Sequence, residues 1–224
     1  AVLEKYPLEE IDPYWSGPDA RYLRTAENRQ NYMAMVDVMD QAIGEVVQAV
    51  HKKGIAENTL ILFLSDNGGL EEADNRPLRS YKGDAFEGGV RAPGIAYWPG
   101  KIKPGSSSEE LIHITDWFPT FAALAEMDTK KDNLDGVSAL DILNGKKGQR
   151  QAVPIVSARR HAYITQDYSL VGSGEDYQLL VEQNLSAFQL YDLNKDISQR
   201  NPITSLLPGK SDEYRVLLKR HLEE

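Results

Sequence analysis

Two oxygen-bearing side chains follow an apolar run in the first third of the chain. The run covers residues 60–64 and shows no alternation, which is typical of a strand covered on both faces of a parallel sheet. Asp66 and Asn67 follow it, and then come Gly68 and Gly69. Ligands of open α/β sheets bind beyond the carboxyl ends of strands. Because carboxylate and amide oxygens suit Ca²⁺ or Mg²⁺, Asp66 and Asn67 are candidate metal ligands.

The same four residues are also typical of a turn, since Asp and Asn side chains hydrogen-bond to nearby backbone and Gly adopts positive φ. The following segment favours a site. Arg79 and Lys82 lie in a glycine-rich stretch that leads to a second apolar strand at residues 94–98. Loops as long as residues 69–93 are usually functional. A lysine near a cation suits an anion held against it, which makes Lys82 a candidate anion contact.

Composition excludes several classes of function. The 224 residues carry a net charge of -9 and no cysteine, so disulfides and thiolate metal sites are excluded. The acidic balance and the scattered basic residues argue against nucleic acid as a partner. The sequence has no apolar run long enough to cross a bilayer, and we expect no membrane partner.

Helical periodicity is clearest at residues 27–53, where Gly54 is the expected stop. Its apolar and methionine-rich face predicts packing against the sheet, with a partner-binding groove as the alternative. A second helix is expected to begin at Thr115 or Asp116, so that Asp116 is a cap rather than a catalytic acid. Its predicted apolar side comprises Trp117, Phe118, Phe121, Leu124 and Ala125.

From residue 153 the pattern changes to short strand-like pieces. They are expected at residues 154–158, 168–172, 177–182 and 188–193, and they indicate a small antiparallel sheet. Short helices are expected at residues 134–144 and 213–222. We therefore divide the chain into an α/β portion, residues 1–150, and a small sheet-plus-helix portion, residues 151–224.

Several motifs together carry a family resemblance. They are S-D-N-G-G, K-G-x-x-x-E-G-G-V-R beginning at Lys82, H-I-T-D-W-F-P-T beginning at His113, and L-Y-D-L-N-K-D beginning at Leu190. In this order they resemble the C-terminal half of a formylglycine-dependent sulfatase of the alkaline-phosphatase-like superfamily. The resemblance implies an α/β fold with part of a mixed or parallel sheet and flanking helices, followed by a small antiparallel sheet with a helix.

The resemblance also implies roles for residues. Asp66 and Asn67 match two metal ligands, usually of Ca²⁺, with Mg²⁺ possible, and Lys82 matches a lysine that contacts the sulfate and the bridging oxygen. His113 and His161 are the better histidine candidates for contact with a sulfate-ester substrate. Glu87 and Arg91 fit a structural ion pair, with direct catalysis as the alternative.

The family's nucleophile, formylglycine, is made from Cys or Ser in a C/S-x-P-x-R motif, and this sequence contains no such motif. We therefore expect a missing N-terminal half as partner, an inactive isolated chain and possible self-association. Two rival functions stay open: a phosphonate or phosphate ester hydrolase of the same superfamily, and a non-catalytic anion-binding subunit.

Three further expectations follow. The family resemblance favours a periplasmic, lysosomal or secreted location. Asn184 begins a glycosylation sequon. The cationic cluster of Arg159, Arg160 and His161 helps to select an anionic or polyhydroxyl substrate, or else forms a solvated strand edge.

Overall fold

The computed structural model describes residues 2–6, 8, 26–129, 133–157, 160–172 and 187–223. The chain divides into two compact units. The first comprises Ala1–Lys82 and Phe86–Trp98, and the second comprises Gly83–Ala85 and Pro99–Glu224. This division rests on compactness, and the division at residue 150 stays a prediction.

Helix α1, Ala26–Lys52, dominates the first unit and confirms the predicted helix to within one residue at each end. Gly54 has φ +69°, the left-handed conformation that ends helices. The predicted packing of the apolar face is wrong for much of its length, because Met35 is 71% exposed and Met39 and Val46 are also exposed. Only Ala34 of this helix is buried among the residues whose side chains the structure describes.

Two strands form the sheet of the first unit. Strand β1, Ile61–Leu64, pairs with β2, Gly94–Tyr97, in antiparallel register with Leu62 opposite Ala96. Strand β1 is half-buried, and Ile95 of β2 is 60% exposed. The expectation of a parallel strand covered on both faces is therefore wrong in the described part of the chain, where β1 has a single, antiparallel neighbour. Helix α2, Glu87–Val90, lies between the two strands in sequence.

In the second unit a 3₁₀ turn, Ile114–Asp116, leads into helix α3, Trp117–Leu124. Of the two expected cap residues, Asp116 is the N-cap of α3 by position, but its side chain does not cap α3. It instead forms a capping box with His113 on the preceding turn. The apolar side is partly wrong as well: Trp117 is buried but Phe118 and Phe121 are exposed. The helix expected at residues 134–144 is only the single turn α4, Leu140–Leu143.

A four-stranded antiparallel sheet follows, in the order β3-β4-β5-β6. Its strands are Ala152–Val156, His161–Thr165, Tyr168–Gly172 and Phe188–Asp192. The sequence analysis missed β4, and the strand expected at residues 177–182 lies outside the described residues. Helix α5, Pro208–Glu223, begins five residues earlier than the expected start at residue 213.

Helix α5 packs on the sheet through a shared apolar core. Leu170 and Leu190 of the sheet and Leu218 of the helix are fully buried, and Phe188 and Tyr214 join them. The predicted small antiparallel sheet with a packed helix is therefore confirmed. Among the described residues, no helix is long and apolar enough to cross a membrane.

Candidate functional site

The candidate site begins where β1 ends. The amide of Ser65 donates to the carbonyl of Pro93 at 3.2 Å, and the Ser65 hydroxyl donates to the carbonyl of Asn67 at 3.0 Å. The Asn67 side-chain nitrogen donates to the carbonyl of Gly68 at 2.9 Å. Asp66 is exposed, and its carboxylate has no hydrogen-bond partner within the described ranges. Local turn bonding thus occupies Ser65 and the Asn67 amide nitrogen, but it leaves the Asp66 carboxylate available to a ligand.

Glycines allow this strand end to approach helix α2 closely. The amide of Gly68 donates to the carbonyl of Gly89 at 2.9 Å, and a Cβ on Gly68 would lie 2.0 Å from the carbonyl oxygen of Gly88. Gly88 in turn donates to the carbonyl of Arg79 at 2.8 Å, and a Cβ there would lie 2.3 Å from the Ser80 oxygen. Side chains at Gly68 or Gly88 would force these segments apart.

Lys82 belongs to the same hydrogen-bonded network. Its amide donates to the carbonyl of Gly69 at 2.9 Å, and the Asn75 side chain donates to that carbonyl at 3.0 Å. The Lys82 side chain is exposed, and in the part of the chain that the structure describes its ammonium has no partner. The structure therefore brings Lys82 onto the backbone scaffold that carries Asp66 and Asn67.

The E-G-G-V-R segment supplies structural support. Glu87 is 3% exposed in its side chain and accepts a 2.5 Å hydrogen bond from Nε of Arg91, which confirms the expected ion pair. The Arg79 guanidinium lies 3.9 Å from the ring centre of Phe86, a cation–π contact. These interactions hold the short helix beside the strand end.

The donor set fits part of a divalent cation site. Asp66 offers a carboxylate and Asn67 an amide oxygen, the ligand types that Ca²⁺ and Mg²⁺ prefer. Calcium takes roughly six to eight oxygen ligands, and no group of three or more acidic, histidine or cysteine side chains comes together among the described residues. Asp66 and Asn67 could therefore provide two of the ligand residues of such a site.

His113 belongs to the second unit, where its ring has a structural task. Its Nδ1 lies 2.9 Å from the Thr115 hydroxyl, and its backbone amide donates to Asp116 Oδ2 at 2.8 Å. Asp116 also forms a buried ion pair with Arg150. Burial, and then the nearby Arg150 charge, hold the pKa of His113 below its usual 6.5.

The carboxylate of Asp116 takes part in the capping box with His113. Burial opposes its ionisation, but hydrogen bonds from Arg150, His113 and Val137 outweigh burial and lower the pKa of the Asp116 carboxyl below 3.8. The carboxylate joins α3 to the start of β3, because Arg150 also donates to the carbonyl of Ala152 at 3.1 Å.

His161 and Arg160 also lie in the second unit. His161 begins β4, is 6% exposed, and has a pKa lowered by burial. Arg160 Nη1 donates to Asp84 Oδ2 at 2.7 Å in a buried ion pair, so the alternative of a solvated strand edge is wrong for Arg160. Selection of the substrate by this cluster stays a prediction. Arg159 lies outside the described residues, as does the Asn184 sequon.

Sequence reasoning missed both buried ion pairs. Asp84 and Arg160 are 76 positions apart, and Asp116 and Arg150 are 34 positions apart. The single available signal was that each acid stands inside an otherwise apolar or glycine-rich motif, where burial demands a cationic partner.

Comparisons with known proteins point to one family. Residues 4–127 match the family model described as Sulfatase, and residues 82–222 match that of N-sulphoglucosamine sulphohydrolase, C-terminal. Arylsulfatase J of Mus musculus is 44% identical over 112 residues, which are 49% of this chain and 19% of that protein. Arylsulfatase A of Homo sapiens is 31% identical over 206 residues, which are 81% of this chain and 40% of that protein.

Solved structures agree with these matches. The PsFucS1 sulfatase from Pseudoalteromonas sp. superposes with a TM-score of 0.69 at 28% identity, covering 94% of this chain and 44% of that one. Ps i-CgsB superposes with a TM-score of 0.73 at 25% identity, covering 93% and 46%. In all four of these comparisons the chain spans less than half the length of its relative.

Proposed function

Because this chain belongs to the sulfatase family, we propose that it forms the part of a sulfate-ester hydrolase that carries two metal ligands and a sulfate-contacting lysine. The observation that supports the proposal most is the 2.9 Å hydrogen bond from the Lys82 amide to the Gly69 carbonyl. It ties Lys82 to the strand end that bears Asp66 and Asn67.

Each side chain has a chemical task in this proposal. Asp66 and the Asn67 amide oxygen bind a divalent cation, Ca²⁺ or Mg²⁺, which when bound draws negative charge from the sulfuryl oxygens. The Lys82 ammonium lies against the sulfate and stabilises charge that develops on the leaving oxygen. Formylglycine, supplied by the family's N-terminal half, provides the nucleophile.

His113 and His161 stay in the proposal as substrate contacts. Burial lowers the pKa of both, which favours the neutral form of each imidazole. A neutral imidazole donates or accepts a hydrogen bond without adding positive charge. They therefore fit hydroxyl groups of the substrate better than the sulfate itself.

The partner in this proposal is the rest of the catalytic domain. The chain covers 40% of arylsulfatase A, and the nucleophile motif is absent from its sequence. We use the term completed enzyme for the polypeptide in which the family's N-terminal half precedes this chain. A periplasmic, lysosomal or secreted location belongs to the same proposal, to be tested by fractionating cells that make the completed enzyme.

The test compares ester classes. The completed enzyme, supplied with Ca²⁺, should hydrolyse an aryl sulfate faster than the matching aryl phosphate or phosphonate, and Asp66→Ala should abolish the preferred activity. Faster hydrolysis of the phosphate or phosphonate would favour the rival enzyme. A folded completed enzyme that hydrolyses none of them but binds inorganic sulfate would favour the anion-binding subunit.

A further inference from the structure

Immediately after Lys82 the chain contributes three residues to the second unit, Gly83–Ala85. The middle one, Asp84, has a side chain only 1% exposed. Its Oδ2 accepts a 2.7 Å hydrogen bond from Arg160 Nη1, and its Oδ1 accepts one of 2.7 Å from the amide of Ala85. Arg160 is itself 15% exposed in its side chain. The chain is therefore anchored two residues beyond Lys82.

Gly83, which lies between Lys82 and Asp84, also has a defined backbone conformation. Gly83 has φ +91°, a conformation that residues with a Cβ rarely adopt, although no atom lies within 4 Å of where a Cβ would stand. The Lys82 amide donates a hydrogen bond to the carbonyl of Gly69. The backbone is thus held at Lys82, turned at Gly83 and anchored at Asp84, while the Lys82 side chain stays exposed.

A buried ion pair needs a reason other than stability. Removing two charges from water costs as much as their attraction returns, and apolar replacements of equal volume are often equally stable. In some proteins such a pair instead specifies a single local conformation, because either charge left alone in the interior is strongly unfavourable. In this protein the ion pair would specify the conformation of the segment that begins with Lys82.

We propose that Arg160, acting through Asp84, is a positioning residue that sets the orientation of Lys82 toward the sulfate. The inference rests on the proposed function of Lys82. Arg160 makes no contact with substrate in this proposal. Its effect on the reaction is transmitted through Asp84 and then along the backbone of Gly83 to Lys82.

The test measures kcat and KM of the completed enzyme with an aryl sulfate. Arg160→Gln and Asp84→Asn should each lower kcat by about 10- to 100-fold, the cost of misplacing a group by roughly an ångström, and should change KM much less. If Arg160→Gln does not yield folded protein, the nearly isosteric Asp84→Asn carries the same test. Arg215→Gln is the matched control, because the Arg215 side chain is also 15% exposed and paired with a neighbouring Asp212. It should leave kcat unchanged.

The decisive measurement is the double variant. In a Lys82→Ala background, adding Arg160→Gln should cause no further fall in kcat, because the group that Arg160 positions is gone. A general structural role would lower kcat equally in both backgrounds, which would overturn the inference. An unchanged kcat for Arg160→Gln, with Lys82→Ala still lowering kcat, would overturn this inference and leave the proposed role of Lys82 intact. Wild-type activity for Lys82→Ala would overturn the proposed role of Lys82 and this inference together.

Discussion

The amide nitrogen of Gly68 donates a hydrogen bond to the carbonyl oxygen of Gly89 over 2.9 Å, and this bond fastens the end of β1 to helix α2. The D-N-G-G and E-G-G motifs, about twenty positions apart, are therefore two sides of one contact. Close backbone approach is the reason that both contain glycine pairs.

The first prediction concerns that contact. Gly68→Ala should destabilise the protein by about 1–3 kcal/mol, because its Cβ would lie 2.0 Å from the Gly88 oxygen and the backbone has to move. Gly44→Ala is the control. Gly44 lies in α1 with nothing within 4 Å of a Cβ, so this change should stabilise by roughly 0.5–1 kcal/mol. Thermal melting of both variants checks the pair, and a neutral Gly68→Ala would contradict the close approach.

The second prediction concerns Lys82. In the completed enzyme, Lys82→Ala should raise the activation barrier by about 2–4 kcal/mol, the size of losing one charge-stabilising contact. Lys82→Arg should not restore the rate, because a planar guanidinium does not replace a point charge. The exposed Lys101 provides a control, and Lys101→Ala should have no effect on kcat. Activity of Lys82→Ala at the wild-type rate would refute the assignment.

The third prediction concerns the metal ligands. Calcium at 100 times its dissociation constant should stabilise the completed enzyme by about 2.7 kcal/mol, since it binds the native state alone. This stabilisation is measured as a rise in melting temperature on adding calcium. Asp66→Ala should remove most of that rise, and Asn67→Ala should remove less. Asp40→Ala, an exposed carboxylate on α1, should leave it intact. Equal melting of the unmutated enzyme with and without calcium would indicate that Asp66 and Asn67 form only a turn.

The fourth prediction concerns pH. The folded-state pKa values of His113 and His161 lie below 6.5, so the unfolded chain binds protons at pH values where the folded chain does not. The stability that these two histidines contribute should therefore be fully present above about pH 6.5. It should be lost as the pH falls below 6.5 toward their folded-state pKa values.

A variant isolates the contribution of His113. His113→Asn keeps a good helix cap without a titrating ring, so its melting temperature should match that of the wild type near pH 8. It should then fall less than the wild type when both are compared near pH 5. An equal fall for the two proteins would show that His113 does not contribute to the acid sensitivity.

The fifth prediction concerns the isolated chain. It should hydrolyse no sulfate ester, because its sequence has no nucleophile motif, and it should self-associate through the exposed apolar face of α1. Met35→Glu combined with Val38→Glu should reduce light scattering at a given protein concentration. Val216→Glu, at a similarly exposed position on α5, should not. A monomer that turns over a fluorogenic sulfate would refute both parts.

The sequence by itself determined the features that depend on neighbours along the chain. Periodicity over many turns predicted α1, and Gly54 marked its end. The apolar run before Asp66 and Asn67 predicted β1 and the position of the candidate ligands at its end. The ion pair of Glu87 and Arg91 was also predictable, because one helical turn brings such residues together.

The tertiary structure alone decided the features that depend on partners far away in sequence. An apolar run favours a buried strand but does not select its neighbour, so the antiparallel pairing of β1 with β2 and the exposure of Met35 could not be foreseen. Arg160 carried the pattern of a solvated strand edge, yet it pairs with Asp84 in the interior. Local periodicity cannot predict a contact between residues 76 positions apart, because only folding buries the two charges together.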